Sequence, residues 1–223
     1  MAPIIHTVNL RKVYAVGKER VIALNDVSIS IEKGEFCCIV GQSGSGKSTL
    51  LNQLAGLEKP TRGKVFIGSH EISAMTEDEL AKFRQAHLGF IFQSYNLLPT
   101  MTAAENVALP LMFKGISRSQ RLAMARALLH DSPIYVFDEA TSNVDAESEN
   151  DIMKAIHSLA GKKTVILISH RLANVVDSDC IYVLEAGRIA EQGTHNDLLA
   201  AQGVYSRLYN AQKQLEDLGE VSA

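Results

Sequence analysis

The sequence predicts an α/β protein with a mainly parallel sheet and an antiparallel β lobe at its N-terminus. Apolar, strand-like segments alternate with helix-forming segments after residue 35, which is typical of a parallel sheet covered on both sides. The first 35 residues instead contain consecutive short strand patterns, and a further strand pair flanks a turn at 185–187. The composition, 46% hydrophobic and 21% charged, indicates a globular chain and excludes an intrinsically disordered one.

The first 40 residues carry the strand patterns that predict the β lobe and the start of the parallel sheet. Strands are expected at Ile4–Leu10, Val21–Leu24, Val27–Ile31 and Phe36–Val40. The third segment alternates apolar and polar residues, as a half-buried strand does. The fourth is continuously apolar, as a strand buried on both faces is. We expect a single domain over 1–223, with the lobe at 1–35 and further parts at 36–116 and 117–223.

The later elements follow from periodicity and from helix-start signals. A helix is expected from Lys47 to Gly56, and capping-box patterns that begin at Thr76 and Thr102 predict two more. Buried strands are expected at 134–137 and 164–168, and a hairpin at 181–191. The remaining helices are expected at 121–129, 146–160, 194–200 and 204–218.

Charge and cysteine content exclude several functional classes. Twenty-two basic and 25 acidic residues give a net charge of −3, so no basic excess indicates a nucleic-acid partner. The three cysteines lack metal-ligand spacing and are expected to be buried thiols in a reducing compartment. No apolar run approaches the roughly 20 residues of a membrane-spanning helix, and no signal-peptide pattern opens the chain. We expect a cytosolic chain, or one held at a membrane by a partner.

A glycine-rich motif follows the strand predicted at 36–40. It consists of Gly41, Gln42, Ser43, Gly44, Ser45, Gly46, Lys47 and Ser48, with Thr49 next in the chain. Its glycines let the backbone turn N–H groups onto phosphate oxygens, and the helix start adds partial positive charge. Lys47 is expected to reach the β- and γ-phosphates, and the Ser48 hydroxyl to bind Mg²⁺. The motif therefore predicts a P-loop NTPase, against the alternative of a glycine-rich turn that binds nothing.

Two acidic residues follow the apolar strand predicted at 134–137. Asp138 stands at the carboxyl end of that strand, where ligands bind in parallel sheets, and is expected to hold Mg²⁺ directly or through water. Glu139 is then placed to orient and deprotonate an attacking water. The alternative interpretation of the pair is a helix cap.

With these motifs the chain resembles, over nearly all of its length, the nucleotide-binding subunit of an ATP-binding-cassette (ABC) transporter. The resemblance implies that Tyr14 stacks on adenine and that Gln93 touches Mg²⁺ and couples to the membrane partner. It also implies that His170 senses the γ-phosphate. Three residues match the loop that crosses the dimer interface in this family, namely Ser142, Asn143 and Asp145. Each residue also has a plainer alternative. These are a packed tyrosine for Tyr14, a loop amide for Gln93, a loop or core histidine for His170 and a helix cap for Asp145.

The resemblance also implies a function. The chain is expected to hydrolyse ATP with Mg²⁺ and so power a membrane exporter, as a cytoplasmic subunit bound peripherally to a transmembrane permease. The family forms an ATP-dependent homodimer. Three alternatives stay open: a module that binds ATP with little hydrolysis, a P-loop kinase for a small molecule, and an ABC ATPase of repair or translation.

The sequence departs from the family between Gln93 and Asp138. The signature peptide Leu-Ser-Gly-Gly-Gln is absent, and residues 114–118 stand in its place as Lys-Gly-Ile-Ser-Arg. The span is a few dozen residues shorter than the family shows, so the helical subdomain is expected to be truncated. Residues 1–116 resemble the lipoprotein-release and macrolide-export type, while 120–215 resemble exporters fused to their membrane domain. We therefore expect a mosaic with a deletion near residue 117, which binds ATP as a monomer and hydrolyses it slowly or not at all.

Overall fold

The computed structural model describes residues 3–91, 132–139 and 146–220. Within these ranges the strands are β1 (Ile5–Val16), β2 (Glu19–Val27), β3 (Ser30–Ile31), β4 (Phe36–Val40), β5 (Arg62–Ile67), β6 (His70–Glu71), β7 (Leu88–Ile91), β8 (Ile134–Asp138), β9 (Thr164–Ile168), β10 (Cys180–Glu185) and β11 (Arg188–Gly193). The α-helices are α1 (Lys47–Leu54), α2 (Glu77–His87), α3 (Ala146–His157), α4 (His195–Ala200) and α5 (Val204–Glu220).

An antiparallel sheet forms the β lobe. Its strand order is β2-β1-β5-β6, with β3 paired to one end of β1. The lobe therefore extends beyond the first 35 residues, because β5 and β6 return to it after α1. The register of the long strand β1 is irregular against both β2 and β5. Asn9, which lies in the irregular stretch opposite β5, adopts a positive φ of 48°.

A second sheet carries the central strands of the molecule. Its order is β11-β10-β4-β9-β8-β7, and every neighbouring pair is parallel except the hairpin of β10 and β11. All residues of β4 and β9 are buried, since helices or the lobe cover both faces. The mainly parallel α/β architecture is thus confirmed, and the carboxyl ends of β4, β8 and β9 meet at one edge.

Two hydrophobic clusters lie on opposite faces of the parallel sheet. One lies beneath the lobe, α1 and α2 and includes Cys37, while the other lies beneath α3 and α5 and includes Cys38. The neighbouring cysteines point to opposite faces because side chains alternate along a strand. All three cysteines are free and buried, as expected from their sparse spacing.

The described residues test the capping box predicted at Thr76, but not the one predicted at Thr102. The capping box at Thr76 forms at the start of α2, where the Thr76 hydroxyl and the Glu79 carboxylate each accept from the other's backbone N–H. The predicted helices near 102 and 121, the junction near 117 and the helical subdomain lie outside the described residues. Among the helices that are described, none is long and apolar enough to cross a bilayer.

Candidate functional site

The glycine-rich segment 41–48, here called the phosphate loop, connects the buried strand β4 to helix α1. The helix begins at Lys47, directly after Gly46, which has a left-handed φ of 105°. A Cβ atom on Gly46 would stand 2.5 Å from the carbonyl oxygen of Ala23 on β2. Only glycine allows both this φ and this close approach, so the motif's glycine has a structural cause in the neighbouring strand.

Lys47 turns its side chain back into the phosphate loop. Its Nζ donates to the carbonyl oxygens of Gly41 (2.9 Å) and Gln42 (3.1 Å), and the residue is 5% exposed. Burial lowers the pKa of the Lys47 ammonium, while the charges of Glu139 and Asp138 oppose that shift. The loop thus encloses a cation beside the helix start, an arrangement that attracts phosphate oxygens.

Asp138 ends strand β8 at the same edge of the sheet. Its Oδ1 atom is buried and has no hydrogen-bond partner in the described part of the chain. Burial, followed by the charge of Glu139, raises the pKa of Asp138. A buried carboxylate oxygen without a protein partner is a ligand that suits Mg²⁺, and a serine hydroxyl is a second oxygen donor of the kind this ion accepts. Asp138 and Ser48 therefore fit the metal that the sequence predicts, and Mg²⁺ binding stays a prediction.

Glu139 and His170, here called the acid pair, come together from the ends of neighbouring strands. The Glu139 backbone N–H donates to Ile168 of β9 (3.1 Å), and its Oε1 contacts Nε2 of His170. Glu139 is 8% exposed and has a φ of +49°, a backbone conformation that is uncommon for a residue other than glycine and is found at functional sites. Glu139 and His170 meet because β8 and β9 are neighbouring parallel strands, although 30 residues separate the two in the sequence.

One depression of about 240 Å³ unites these features. It is lined by 43–44 and 46–49 of the phosphate loop and α1, by 21–23 of β2, and by the acid pair. The residues predicted to bind phosphate and those predicted to act on water therefore face one space.

Tyr14 lies on β1 beside this depression but is not among its lining residues. Its hydroxyl donates to the Glu58 carboxylate (2.6 Å), and the Lys12 ammonium lies 5.2 Å from its ring centroid. Burial, and then the bond to Glu58, raise the pKa of Tyr14. Its cross-strand partner Val21 does line the depression, which places Tyr14 close to the site without a direct contact. The adenine-stacking role stays a prediction.

Four of the predicted site residues fall in parts of the chain that the structure does not describe. Gln93, Ser142, Asn143 and Asp145 lie outside the described residues, as does the 114–118 segment that replaces the signature peptide.

The structure adds a group that the sequence analysis does not single out. Glu149 on α3 is 4% exposed, and its carboxylate contacts Arg171 and accepts from Asn174 Nδ2 (2.9 Å). Both partners belong to the segment that follows His170. The sequence signal for Glu149 is its helical spacing from Met153 and Ile156, which places the three residues on one face of α3. That face is buried, and a buried carboxylate requires a partner.

Comparison with known proteins decides the family. The sequence pattern of the ABC transporter family matches residues 24–121. An uncharacterized ABC transporter ATP-binding protein of Thermotoga maritima is 36% identical, with 85% of this chain and 94% of that protein covered. The chain belongs to the ABC transporter ATP-binding family. The alignment with this ABC relative is 221 positions long, but it contains only 85% of this chain's 223 residues. This difference is expected if the relative contains residues that this chain lacks.

Longer proteins and a solved structure give the same assignment. The macrolide export ATP-binding/permease protein MacB of Hyphomonas neptunium is 38% identical, and the match covers 75% of this ABC cassette but 31% of that protein. The cassette therefore spans about a third of that relative's length. A dimeric ATP-binding cassette, solved in a post-hydrolysis state with ADP and Pi, aligns with a TM-score of 0.77. It is 33% identical, with 85% of this chain and 98% of that chain covered.

Proposed function

We propose that this ABC cassette hydrolyses ATP and thereby powers a membrane exporter through a permease partner. The observation that carries the proposal is the contact of Glu139 with His170 in the depression that also contains Lys47. A carboxylate at this position is a suitable general base for water, and general-base catalysis contributes about 10²–10⁴ in rate.

The reaction follows from the roles of the lining residues. The loop amides and the Lys47 ammonium hold the β- and γ-phosphate oxygens of ATP. Glu139 accepts a proton from the water that attacks the γ-phosphorus, and His170 contacts the Glu139 carboxylate. The bond from the γ-phosphorus to the β–γ bridging oxygen breaks, so ADP and inorganic phosphate leave. Ser48, Asp138 and Gln93 would hold Mg²⁺, which would neutralise part of the phosphate charge during the reaction.

The partners follow from the family. We propose a transmembrane permease subunit as the partner and a peripheral position at the cytoplasmic face of the membrane. We also propose that Tyr14 stacks on adenine and that Ser142, Asn143 and Asp145 lie at a dimer interface when one forms. The macrolide exporter that resembles this chain carries its permease in the same polypeptide, as its name states.

A specific observation favours a second function, an ATP-binding module with little or no turnover. The sequence lacks Leu-Ser-Gly-Gly-Gln and has Gly115 and Ile116 in its place. In this family that peptide supplies the second phosphate-binding face across the dimer. Losing a single preorganised donor typically costs about 10²–10³ in rate, so the loss of a whole peptide would leave binding with slow hydrolysis.

One experiment separates the two functions. ATP affinity and the rate of phosphate release are measured on the same purified sample, with and without Mg²⁺. Magnesium-dependent release at saturating ATP supports the enzyme, and tight binding without release supports the binding module. Absence of binding at millimolar Mg-ATP contradicts both.

A repaired chain tests whether the missing peptide is the cause of slow turnover. A family-type helical subdomain that ends in Leu-Ser-Gly-Gly-Gln is inserted between Ile116 and Gln120. We expect faster hydrolysis, and an ATP-dependent dimer by sedimentation when Glu139→Gln is also present. If the unrepaired chain already dimerises on ATP and turns over at the same rate as the repaired one, another segment supplies the second phosphate contact.

A further inference from the structure

The tip of the β10–β11 hairpin lies against both the phosphate loop and strand β2. The backbone N–H of Gly187 donates to the carbonyl oxygen of Ser45 (3.0 Å), and its own carbonyl accepts from the Asn25 N–H (2.8 Å). Gly187 is buried. This one residue therefore links two of the elements that line the nucleotide depression, although it does not line the depression itself.

The bond to Ser45 fixes the direction of a peptide group in the phosphate loop. In a trans peptide the C=O and the N–H point in opposite directions, and the described residues contain no cis peptide. Because the Ser45 carbonyl points at the hairpin tip, the N–H of Gly46 in the same peptide group points away from it. Gly46 lines the depression, so this N–H is a candidate phosphate donor, and the bond from Gly187 to Ser45 constrains its direction.

The close packing at the tip depends on two glycines that face one carbonyl. Cβ atoms on Gly187 and Gly46 would stand 2.6 Å and 2.5 Å from the same oxygen, that of Ala23 on β2. Real Cβ atoms do not approach an oxygen so closely, so a side chain at either position would separate β2 from the loop. Ala23 itself lines the depression.

A second contact joins the hairpin to the first residue of the phosphate loop. Strand β10 runs parallel to β4 with Val183 beside Val40, and a Cβ on Gly41 would stand 2.3 Å from the Leu184 carbonyl oxygen. The last residues of β10 thus contact the start of the loop, and the tip contacts its end.

From this geometry we infer that the hairpin tip is a positioning element of the nucleotide site, with Gly187 as its central residue. It holds the Ser45–Gly46 peptide with its N–H toward the phosphates and sets the distance between the loop and β2. The inference rests on ATP binding at this depression, and it adds a residue that the motif does not contain.

The test uses a matched pair of glycines in the full chain. Gly161 has the same φ of +74° as Gly187, yet no atom within 4 Å would meet its Cβ. Gly187→Ala and Gly161→Ala therefore introduce the same backbone strain, and only the first displaces β2 or the loop. We expect Gly187→Ala to weaken ATP and ADP binding by about tenfold or more, the effect of one charge-assisted hydrogen bond, and Gly161→Ala to change it less than about twofold.

A measurement on the unmodified chain keeps the inference testable if Gly187→Ala does not fold. The N–H groups of Gly187 and Gly161 both donate to backbone carbonyls, of Ser45 (3.0 Å) and Gly34 (3.2 Å) respectively. An amide that opens locally gains hydrogen-exchange protection from Mg-ATP only where nucleotide binding stabilises that local structure, and an amide remote from the site does not. We expect Mg-ATP to slow exchange at Gly187 about tenfold more than at Gly161.

The outcomes separate this inference from the proposed function. If the unmodified chain does not bind Mg-ATP, the proposed function fails first. If it binds, and Gly187→Ala binds ATP as tightly as Gly161→Ala, the positioning role is wrong. Equal exchange protection at the two glycines overturns it as well.

Discussion

The phosphate loop and the acid pair form two sides of one depression, but they are held in place by different means. The loop is fixed by backbone contacts, since its glycines and the Ser45 carbonyl lie against the backbone of β2 and the hairpin. The acid pair has one backbone bond, from Glu139 to Ile168, and otherwise depends on side chains. These are the contact of Glu139 with His170 and the buried carboxylate of Glu149, which contacts Arg171 in the next segment. ATP binding and turnover should therefore respond to different substitutions.

The largest expected effect is at the acid pair. Glu139→Gln keeps the size of the side chain and a hydrogen-bonding group but removes the proton acceptor. Hydrolysis should fall by about 10²–10⁴, the typical contribution of a general base, while the Kd for ATP stays unchanged. Steady-state phosphate release and equilibrium binding on one preparation measure both. Unchanged turnover in this variant would show that the proton goes elsewhere.

Lys47→Ala tests the opposite side of the depression. The substitution removes the ammonium that now contacts Gly41 and Gln42 and should abolish most of the stabilisation that Mg-ATP gives the unmodified chain. That stabilisation is about 2.7 kcal/mol when ATP is 100 times its Kd. Thermal unfolding with and without millimolar Mg-ATP measures it. Equal shifts in both proteins would mean that the loop does not hold the phosphates.

The two sides also differ in how far the sequence predicts them. The limits of β4 and β9 are predicted to the residue, because each segment is an apolar run, apart from Thr164 at the start of β9. The phosphate loop is equally predictable, since its residues are consecutive. The approach of His170 to Glu139 depends on the order of strands in the sheet, which local patterns do not contain, and the resemblance to the family supplied it instead.

Strand β5 illustrates what the sequence conceals. It begins at Arg62 with charged residues and a glycine, a composition that does not indicate a strand. Gly63 has a φ of +90°, and its Cβ would stand 2.4 Å from the Asn9 carbonyl. The glycine is required because β5 approaches β1 closely, and only the folded chain reveals this approach. The contact of Gly187 with Ser45 is likewise visible only in the folded chain.

Glu149→Gln should produce an intermediate effect that reaches the acid pair indirectly. An amide leaves one N–H group facing the donors of Arg171 and Asn174, so the free energy of unfolding should fall by about 1–3 kcal/mol, towards the lower end because Arg171 is half exposed. Turnover should fall with it while the Kd for ATP stays constant. A fall in ATP affinity as large as the fall in turnover would contradict the separation of the two sides.

The same helix offers a control for Glu149. Asp151 is 73% exposed and pairs with Lys154 three residues later, and exposed pairs of this kind contribute little. Asp151→Asn should change the free energy of unfolding by less than about 0.5 kcal/mol and leave turnover unchanged. Equal losses in both variants, measured by denaturant unfolding, would mean that the charge of α3 matters rather than the buried contact.

The smallest expected effect concerns Tyr14, at the border of the depression. Tyr14→Phe removes the hydroxyl that donates to Glu58 and should lower the free energy of unfolding by about 1 kcal/mol, while ATP affinity stays the same because the ring remains. Tyr14→Ala also removes the ring, and the loss of stacking on adenine should cost about 1–3 kcal/mol of binding. Calorimetric titration of both variants with ATP distinguishes these roles. If Tyr14→Phe weakens ATP binding as much as Tyr14→Ala does, the hydroxyl bond to Glu58 shapes the site and the stacking role is wrong. In that case the nucleotide's base would be held by a side-chain network, as the acid pair is, rather than by the apolar face of a ring.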